Sequence, residues 1–265
     1  MSVYLDLTRE FNRGGFRAIL SSGQAVVLHR LAIMSKDGDW ILRETPEALE
    51  HVLGVLATHG ASYRFGAPLD VRWMQGGWSA HFQFRRDGLR VRTDFVTRPP
   101  RLGDEDLDAL WREPAGEPVP FVDARRLVEI KKTNREKDYA VIGELARLLE
   151  SPRDQLLCSR SARDILALAR ARPDLVRALE DERPVLRAIS GGREAIEAAL
   201  DAERRMLVHA NEERLRRYLD AAADWAIVWP QVGREITGRP LPEAHAHVVE
   251  RARGVLPTLV TPEDA

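Results

Sequence analysis

Apolar and polar positions alternate most cleanly along residues 80–95. Ala80, Phe82 and Phe84 take every second place, as do Leu89, Val91, Thr93 and Phe95. A two-residue period marks a half-buried strand. Asp87-Gly88 separates the two runs, and that dipeptide suits a two-residue hairpin loop. The spacing predicts a hairpin in which Arg86 faces Leu89, Phe84 faces Val91 and His81 faces Asp94. Leu89, Val91, Thr93 and Phe95 should point to the core, with Arg90, Arg92 and Asp94 on the opposite face. A short strand over 16–20, one beginning near Asp37 and another over 69–73 complete the expected strands.

Helical spacing takes over elsewhere. Thr45-Pro46-Glu47 opens a helix, with a hydroxyl cap and a proline at the first helical position. That helix should bury Leu49, Val52, Leu53 and Leu56 and end near Gly60. After the break Ser21-Ser22-Gly23, residues 24–32 carry Ala25, Val26, Leu28 and Leu31 at helical intervals. Residues 98–120 read as a long loop or short helix. Helices are expected over 122–132, 136–149, 162–171, 173–187, 193–219 and 242–255, with breaks at Ser190-Gly191-Gly192 and Gly238-Arg239-Pro240. Trp225, Trp229 and the apolar stripe of 193–219 read as helical core. A strand-bearing part, 1–150, thus precedes an all-helical part, 151–265. Strands followed by helices argue an α+β fold, not a doubly wound parallel sheet.

Composition narrows the function. The chain has 265 residues, 44% of them hydrophobic, enough for a packed core. Its 40 basic and 41 acidic residues give a net charge of −1, and neither half is a basic nucleic-acid module by bulk charge. Cys158 is the only cysteine. An intrachain disulfide and a cysteine zinc site are therefore excluded, which suits a reducing cytoplasm, the expected location. No apolar run approaches the roughly 20 residues that span a bilayer, and the first residues lack the pattern of a secretory leader. The basic residues include only four lysines, Lys36, Lys131, Lys132 and Lys137, in two short stretches. An ammonium and a guanidinium are not equivalent at a phosphate or metal site.

Asp37-Gly38-Asp39 is the sharpest chemical feature. In an extended segment, residues two apart share a face, so both carboxylates sit together. Like charges that close repel unless a cation lies between them, and Mg²⁺ favours such oxygen ligands. The same residues fit a solvated hairpin turn between 31–33 and 40–42. His245 and His247, two apart on a helix, diverge and make a poor metal pair. No Ser-His-Asp set can be read, because adjacency in space is not legible here.

Three features in order carry a resemblance: the loop Ser21-Ser22-Gly23 between strand and helix, the pair Asp37 and Asp39 at the next strand, and Asp94 on a later one. Small residues at a helix start let backbone N–H groups approach phosphate. The sequence resembles the DNA polymerase β-like nucleotidyltransferase superfamily, its small bacterial members in particular. The run from Leu127 to Tyr139, with Lys131, Arg135 and Lys137-Asp138, is similar to the helical segment that follows the catalytic sheet there. The resemblance covers residues 16–149. It departs at Ser22, where a glycine is usual, and at Gly38, where an apolar residue is usual.

The resemblance implies a nucleotidyltransferase-like mixed sheet with helices on one face, followed by a helical C-terminal domain. It implies Mg²⁺-dependent transfer of a nucleoside monophosphate from an NTP, with Mn²⁺ as a substitute ion. The acceptor is a small molecule, a protein or an RNA. Asp37, Asp39 and Asp94 would bind the metal, Asp94 at a second position beside the acceptor. Ser22, Gly23, Lys131 and Arg135 would hold the nucleotide. His81, opposite Asp94, stands on the acceptor side, or forms only a cross-strand ion pair. Lys137-Asp138 reads as a helix-face charge pair. Arginines 85–101 solvate the hairpin or meet a nucleic-acid acceptor. The other reading is a catalytically lapsed relative that binds a partner, as in a toxin–antitoxin-like system.

Overall fold

The computed structural model describes residues 3–112 and 119–260. In chain order these form α1 (Val3–Phe11), β1 (Ala18–Leu20), α2 (Ser22–Leu28), β2 (Gly38–Leu42), α3 (Pro46–Thr58), β3 (Ser62–Tyr63), α4 (Val71–Met74), β4 (Ala80–Arg86), β5 (Leu89–Val96) and α5 (Asp104–Arg112). Then follow α6 (Ala124–Lys131), α7 (Glu136–Leu148), α8 (Pro152–Cys158), α9 (Ala162–Ala171), α10 (Pro173–Leu179), a 3₁₀ stretch (Pro184–Gly191), α11 (Gly192–Ala221), α12 (Ala223–Ile236) and α13 (Leu241–Ala252). The fold is α+β. Two compact units divide it: Met1–Val122 with Arg216–Ala265, and Asp123–Leu215. One boundary precedes α6, between Val122 and Asp123, and the other falls inside α11.

The first unit is built on a five-stranded sheet of order β1-β2-β5-β4-β3. Strands β2 and β5 run parallel, and the other neighbours are antiparallel. Trp40 of β2 stacks on Phe95 of β5 at 5.4 Å, and Phe11 of α1 meets both rings edge-on at 5.3 and 5.7 Å. Each such pair adds roughly 0.5–1.5 kcal/mol beyond simple burial. The Trp40 indole N–H is satisfied by Thr8 Oγ1 at 2.9 Å. Gly38 owes its identity to this packing. A Cβ there would lie 2.4 Å from the Trp40 ring and 2.5 Å from the Tyr4 ring, so no apolar side chain fits between the two acids.

The hairpin has the expected register, Arg86 with Leu89, Phe84 with Val91 and His81 with Asp94. Leu89 is the exception to the expected core face: it is 72% exposed, because the hairpin tip overhangs the sheet. Helix α3 follows its sequence signals. Thr45 accepts from the Ala48 N–H, and Leu49, Val52, Leu53 and Leu56 are buried. Gly60 takes φ +64° just after the helix.

Four expectations fail for local reasons. Residues 69–73 are not a strand. Asp70 caps α4 by accepting from the Arg72 N–H, and its carboxylate holds the Arg72 guanidinium at 2.8 and 2.7 Å. Helix α2 ends at Leu28, short of residue 32, as Arg30 turns into the left-handed region at φ +62°. The expected helix over 173–187 is broken before Pro184, which lacks an N–H to continue it. On α11 the apolar stripe is shorter than predicted: Ile196, Leu200 and Asn211 are buried, but Met206 and Leu219 are each 67% exposed.

The second unit has its own core around Leu156, Ile165, Leu186 and Ile196. Arg183 is buried beside it and donates to the Leu156 and Ser159 carbonyls at 2.7 and 2.8 Å. The same guanidinium binds the Glu203 carboxylate at 3.0 and 2.9 Å, and Arg160 binds it as well. Burial pushes the Glu203 carboxyl up, but the hydrogen bond and charge of Arg183, with the charges of Arg160 and Lys132, outweigh it and hold the group below its ordinary value. The folded value is thus below the unfolded one. The stabilisation is complete above the ordinary glutamate value of about 4.3 and is lost as pH falls through the folded value. Glu203→Gln should therefore lower the urea midpoint at neutral pH, and its deficit against the parent should shrink as the pH falls through the carboxylate range. A deficit independent of pH would contradict this assignment.

Candidate active site

Strand β2 begins directly after Asp37, and its alternation separates two faces. Gly38 and Trp40 are buried, while Asp37 and Asp39 are half-buried. On β5, Thr93 and Phe95 are buried, and Arg92 and Asp94 lie on the other side. Asp39 and Asp94 are register partners across the parallel β2–β5 pair. Neighbouring strands lie about 4.8 Å apart, so two residues 55 apart in sequence become immediate neighbours. The reading of Asp37-Gly38 as a hairpin turn is overturned: Gly38 starts β2, a helix and a loop separate β2 from β1, and residues 31–33 form no strand.

Tyr4 reports on all three carboxylates. Its hydroxyl donates to the Lys36 carbonyl at 2.5 Å. Burial pushes the phenol up, and the negative charges of Asp37, Asp39 and Asp94 push it further. One hydroxyl therefore feels all three groups that the sequence singled out.

Asp37 and Asp94 differ in their partners. The Asp37 carboxylate lies 4.0 Å from the Arg92 guanidinium. Asp94 Oδ1 accepts from Arg64 Nη1 at 3.1 Å and lies 2.7 Å from His81 Nδ1. His81 Nε2 in turn lies 2.9 Å from Ser79 Oγ. A Ser-His-Asp relay is thus present where sequence alone revealed none. Its backbone is fixed by a continuation of the β3–β4 pairing: the Arg64 N–H donates to the His81 carbonyl and the Ala67 N–H to the Ser79 carbonyl, at 2.8 and 3.0 Å. Between them Gly66 closes over the imidazole, and a Cβ there would stand 2.6 Å from His81 Cδ2.

The turn after β1 packs against the acidic segment. Ser22 takes φ +48°, the left-handed region that favours glycine, at a cost of order 1–2 kcal/mol. The backbone thus adopts at Ser22 a conformation that glycine takes more readily. A Cβ on Gly23 would lie 2.3 Å from Ser35 Oγ, so the turn abuts the residue two before Asp37. Gln24 ties the two segments, donating to the Ser35 and Asp37 carbonyls at 3.1 and 3.2 Å. The turn is thus tied to the backbone of the acidic segment through Gln24 and through the Ser21 N–H, which donates to the Asp39 carbonyl at 2.8 Å.

Lys131, Arg135 and Asp138 belong to the second unit and form a network there. Lys131 Nζ lies 3.5 Å from Asp138 Oδ1, with side chains 6% and 5% exposed. Arg135 and the Thr133 hydroxyl donate to Asp138 Oδ2 at 2.9 and 2.6 Å. Asp138 is therefore a buried hub, and the expected surface pair with Lys137 is not formed. His245 and His247 diverge as expected, the first to the Tyr63 hydroxyl and the second to Glu235.

Among the described residues, no three His, Cys, Asp or Glu side chains converge closely enough to hold an ion by themselves. Magnesium needs no such cage. It is commonly held by one or two carboxylates with substrate phosphates and water completing its shell. Asp37 and Asp39 fit that requirement in donor type and placement. Asp94 fits it less well, since the Arg64 guanidinium and the His81 imidazole already converge on its Oδ1. No helix among the described residues is long and apolar enough to cross a membrane.

No family model matches this sequence, and no curated protein matches it. Among solved structures, the chain overlaps a candidate nucleotidyltransferase from H. pylori with a TM-score of 0.39 and 12% identity, over 79% of this chain and 94% of that one. It overlaps JHP933 from Helicobacter pylori with the same score and identity, over 80% and 92%. Overlap that loose assigns no role to any residue.

Proposed function

We propose that the chain transfers a nucleoside monophosphate from an NTP to a hydroxyl-bearing acceptor. The observation that carries this reading is the pairing of Asp39 with Asp94 on adjacent parallel strands, with Asp37 two residues upstream. Asp37 and Asp39 would hold Mg²⁺ on the triphosphate. When bound there, the ion supplies charge neutralisation and alignment of the leaving pyrophosphate. The Ser22 hydroxyl and the Gly23 N–H would cradle phosphate oxygens. Asp94 orients His81 rather than a second ion. With its Nδ1 proton directed at Asp94, the imidazole presents Nε2 as an acceptor for the proton of the attacking hydroxyl. Arg64 fixes Asp94 from its other side. Lys131 and Arg135 receive no role at the phosphates, because both are engaged by Asp138.

The acceptor oxygen then bonds the α-phosphorus, the bond to the β-phosphate oxygen breaks, and pyrophosphate departs. Positioning and electrostatics do most of such chemistry. The test is incubation with each α-labelled NTP, Mg²⁺ and a cell extract. Label should appear on a discrete acceptor with at least one NTP and disappear with chelator. Absence of label with every NTP would contradict transfer and leave the binding-only relative.

A further inference from the structure

Ser79 Oγ sits on His81 Nε2 at 2.9 Å, and His81 Nδ1 sits on Asp94 at 2.7 Å. This is the connectivity of a nucleophile, its base and the carboxylate that fixes the base's tautomer. A carboxylate on Nδ1 keeps the proton there and leaves Nε2 free to accept. Ser79 is half-buried, not sealed, and its carbonyl is pinned by Ala67. Along β4, residues two apart share a face, so Ser79 and His81 lie on the side that carries Asp94. Across the sheet that row continues to Asp39 through the β5–β2 pair. The serine hydroxyl therefore occupies the position on His81 that an acceptor hydroxyl would take.

We propose that Ser79 is an activated nucleophile and the site at which the protein nucleotidylates itself. The inference rests on the transfer reading above and adds its acceptor. Ser79 Oγ bonds the α-phosphorus of the NTP, and its proton passes to His81 Nε2. The bond between the α-phosphorus and the bridging oxygen breaks, and pyrophosphate leaves with that oxygen. The product is a phosphodiester joining Ser79 to the nucleoside. A surface serine without a base would not react this way. The relay supplies the base, and general-base assistance is typically worth 10²–10⁴-fold.

Two probes on the full chain test this. The first is an alkyl fluorophosphonate, which needs neither nucleotide nor metal. Attack by an activated serine forms an O–P bond and expels fluoride, and peptide mass spectrometry locates the adduct. The adduct should lie on Ser79, be absent from Ser79→Ala and form about 10²-fold more slowly in His81→Ala, with circular dichroism confirming that both variants fold. The second probe is α-labelled NTP with Mg²⁺, with and without cell extract. A nucleoside monophosphate should appear on the Ser79 peptide, persist in Ser79→Thr and vanish in Ser79→Ala. No fluorophosphonate adduct at Ser79 overturns the activated serine. Label on extract acceptors with none on Ser79 overturns self-modification and leaves transfer standing. No label anywhere overturns both.

Discussion

Asp37→Ala is expected to abolish nucleotidyl transfer, with a loss on the order of 10³-fold or more in turnover, while the protein stays folded. The size follows from removing half of a two-carboxylate ligand set for a charged, metal-bearing substrate. Loss of a single electrostatic stabiliser at a reacting centre commonly costs about 10²–10³-fold, and loss of a direct ligand costs at least as much. Stability should barely move. Asp37 precedes β2, its side chain is 42% exposed, and its nearest cation is 4.0 Å away. Exposed pairs of that kind contribute about 0–1 kcal/mol, and removing one of two neighbouring negative charges offsets part of the loss. Turnover of labelled NTP and a thermal melt on one preparation check both halves. Asp37→Asn, equal in volume, should behave alike. Retained transfer in either variant would remove Asp37 from the site.

The largest effect on stability is expected at Asp138. Asp138→Ala takes the carboxylate away from a buried ammonium and from the donors on Thr133 and Arg135. Breaking one partner of a buried ion pair typically costs about 3–5 kcal/mol, far more than a surface charge. Replacing both members by apolar residues of similar volume is often close to neutral. The double variant Lys131→Met with Asp138→Leu should therefore recover most of what Asp138→Ala loses. Urea unfolding of the three variants gives the comparison. A loss below about 1 kcal/mol for Asp138→Ala would show that the network is solvated.

The sequence made parts of this arrangement readable and hid others for physical reasons. The hairpin was legible because strict alternation and Asp87-Gly88 are local signals, and its register followed by counting. That counting already set His81 against Asp94. Helix α3 was legible from Thr45 and Pro46. The neighbourhood of Asp39 and Asp94 was not a local matter. It depends on β5 lying parallel to β2, and only the order of motifs in a resembling family pointed to it. Gly38 looked like a turn residue because its cause, two aromatic rings from Tyr4 and Trp40, lies in α1 and in the side chain two positions on. Helix α1 itself was passed over. Arg64 carries no pattern at all: it follows a two-residue strand, and its role comes from the continued pairing with His81 that sets it near Asp94. Ser79 was hidden for the same reason, since a serine two residues before a histidine is unremarkable until a third group fixes the imidazole. Asp138 read as a surface charge because helical periodicity cannot say that α6 would place Lys131 beside it.

The most direct measurement is calorimetric titration of a Mg²⁺-bound, non-hydrolysable NTP analogue into the parent and into Asp39→Asn. Binding by the parent should require the metal, and the variant should lose at least about tenfold in affinity, 1.4 kcal/mol, with its melting temperature unchanged. Equal metal-dependent affinity in the two proteins would contradict the assignment of the β2 carboxylates to the nucleotide's metal.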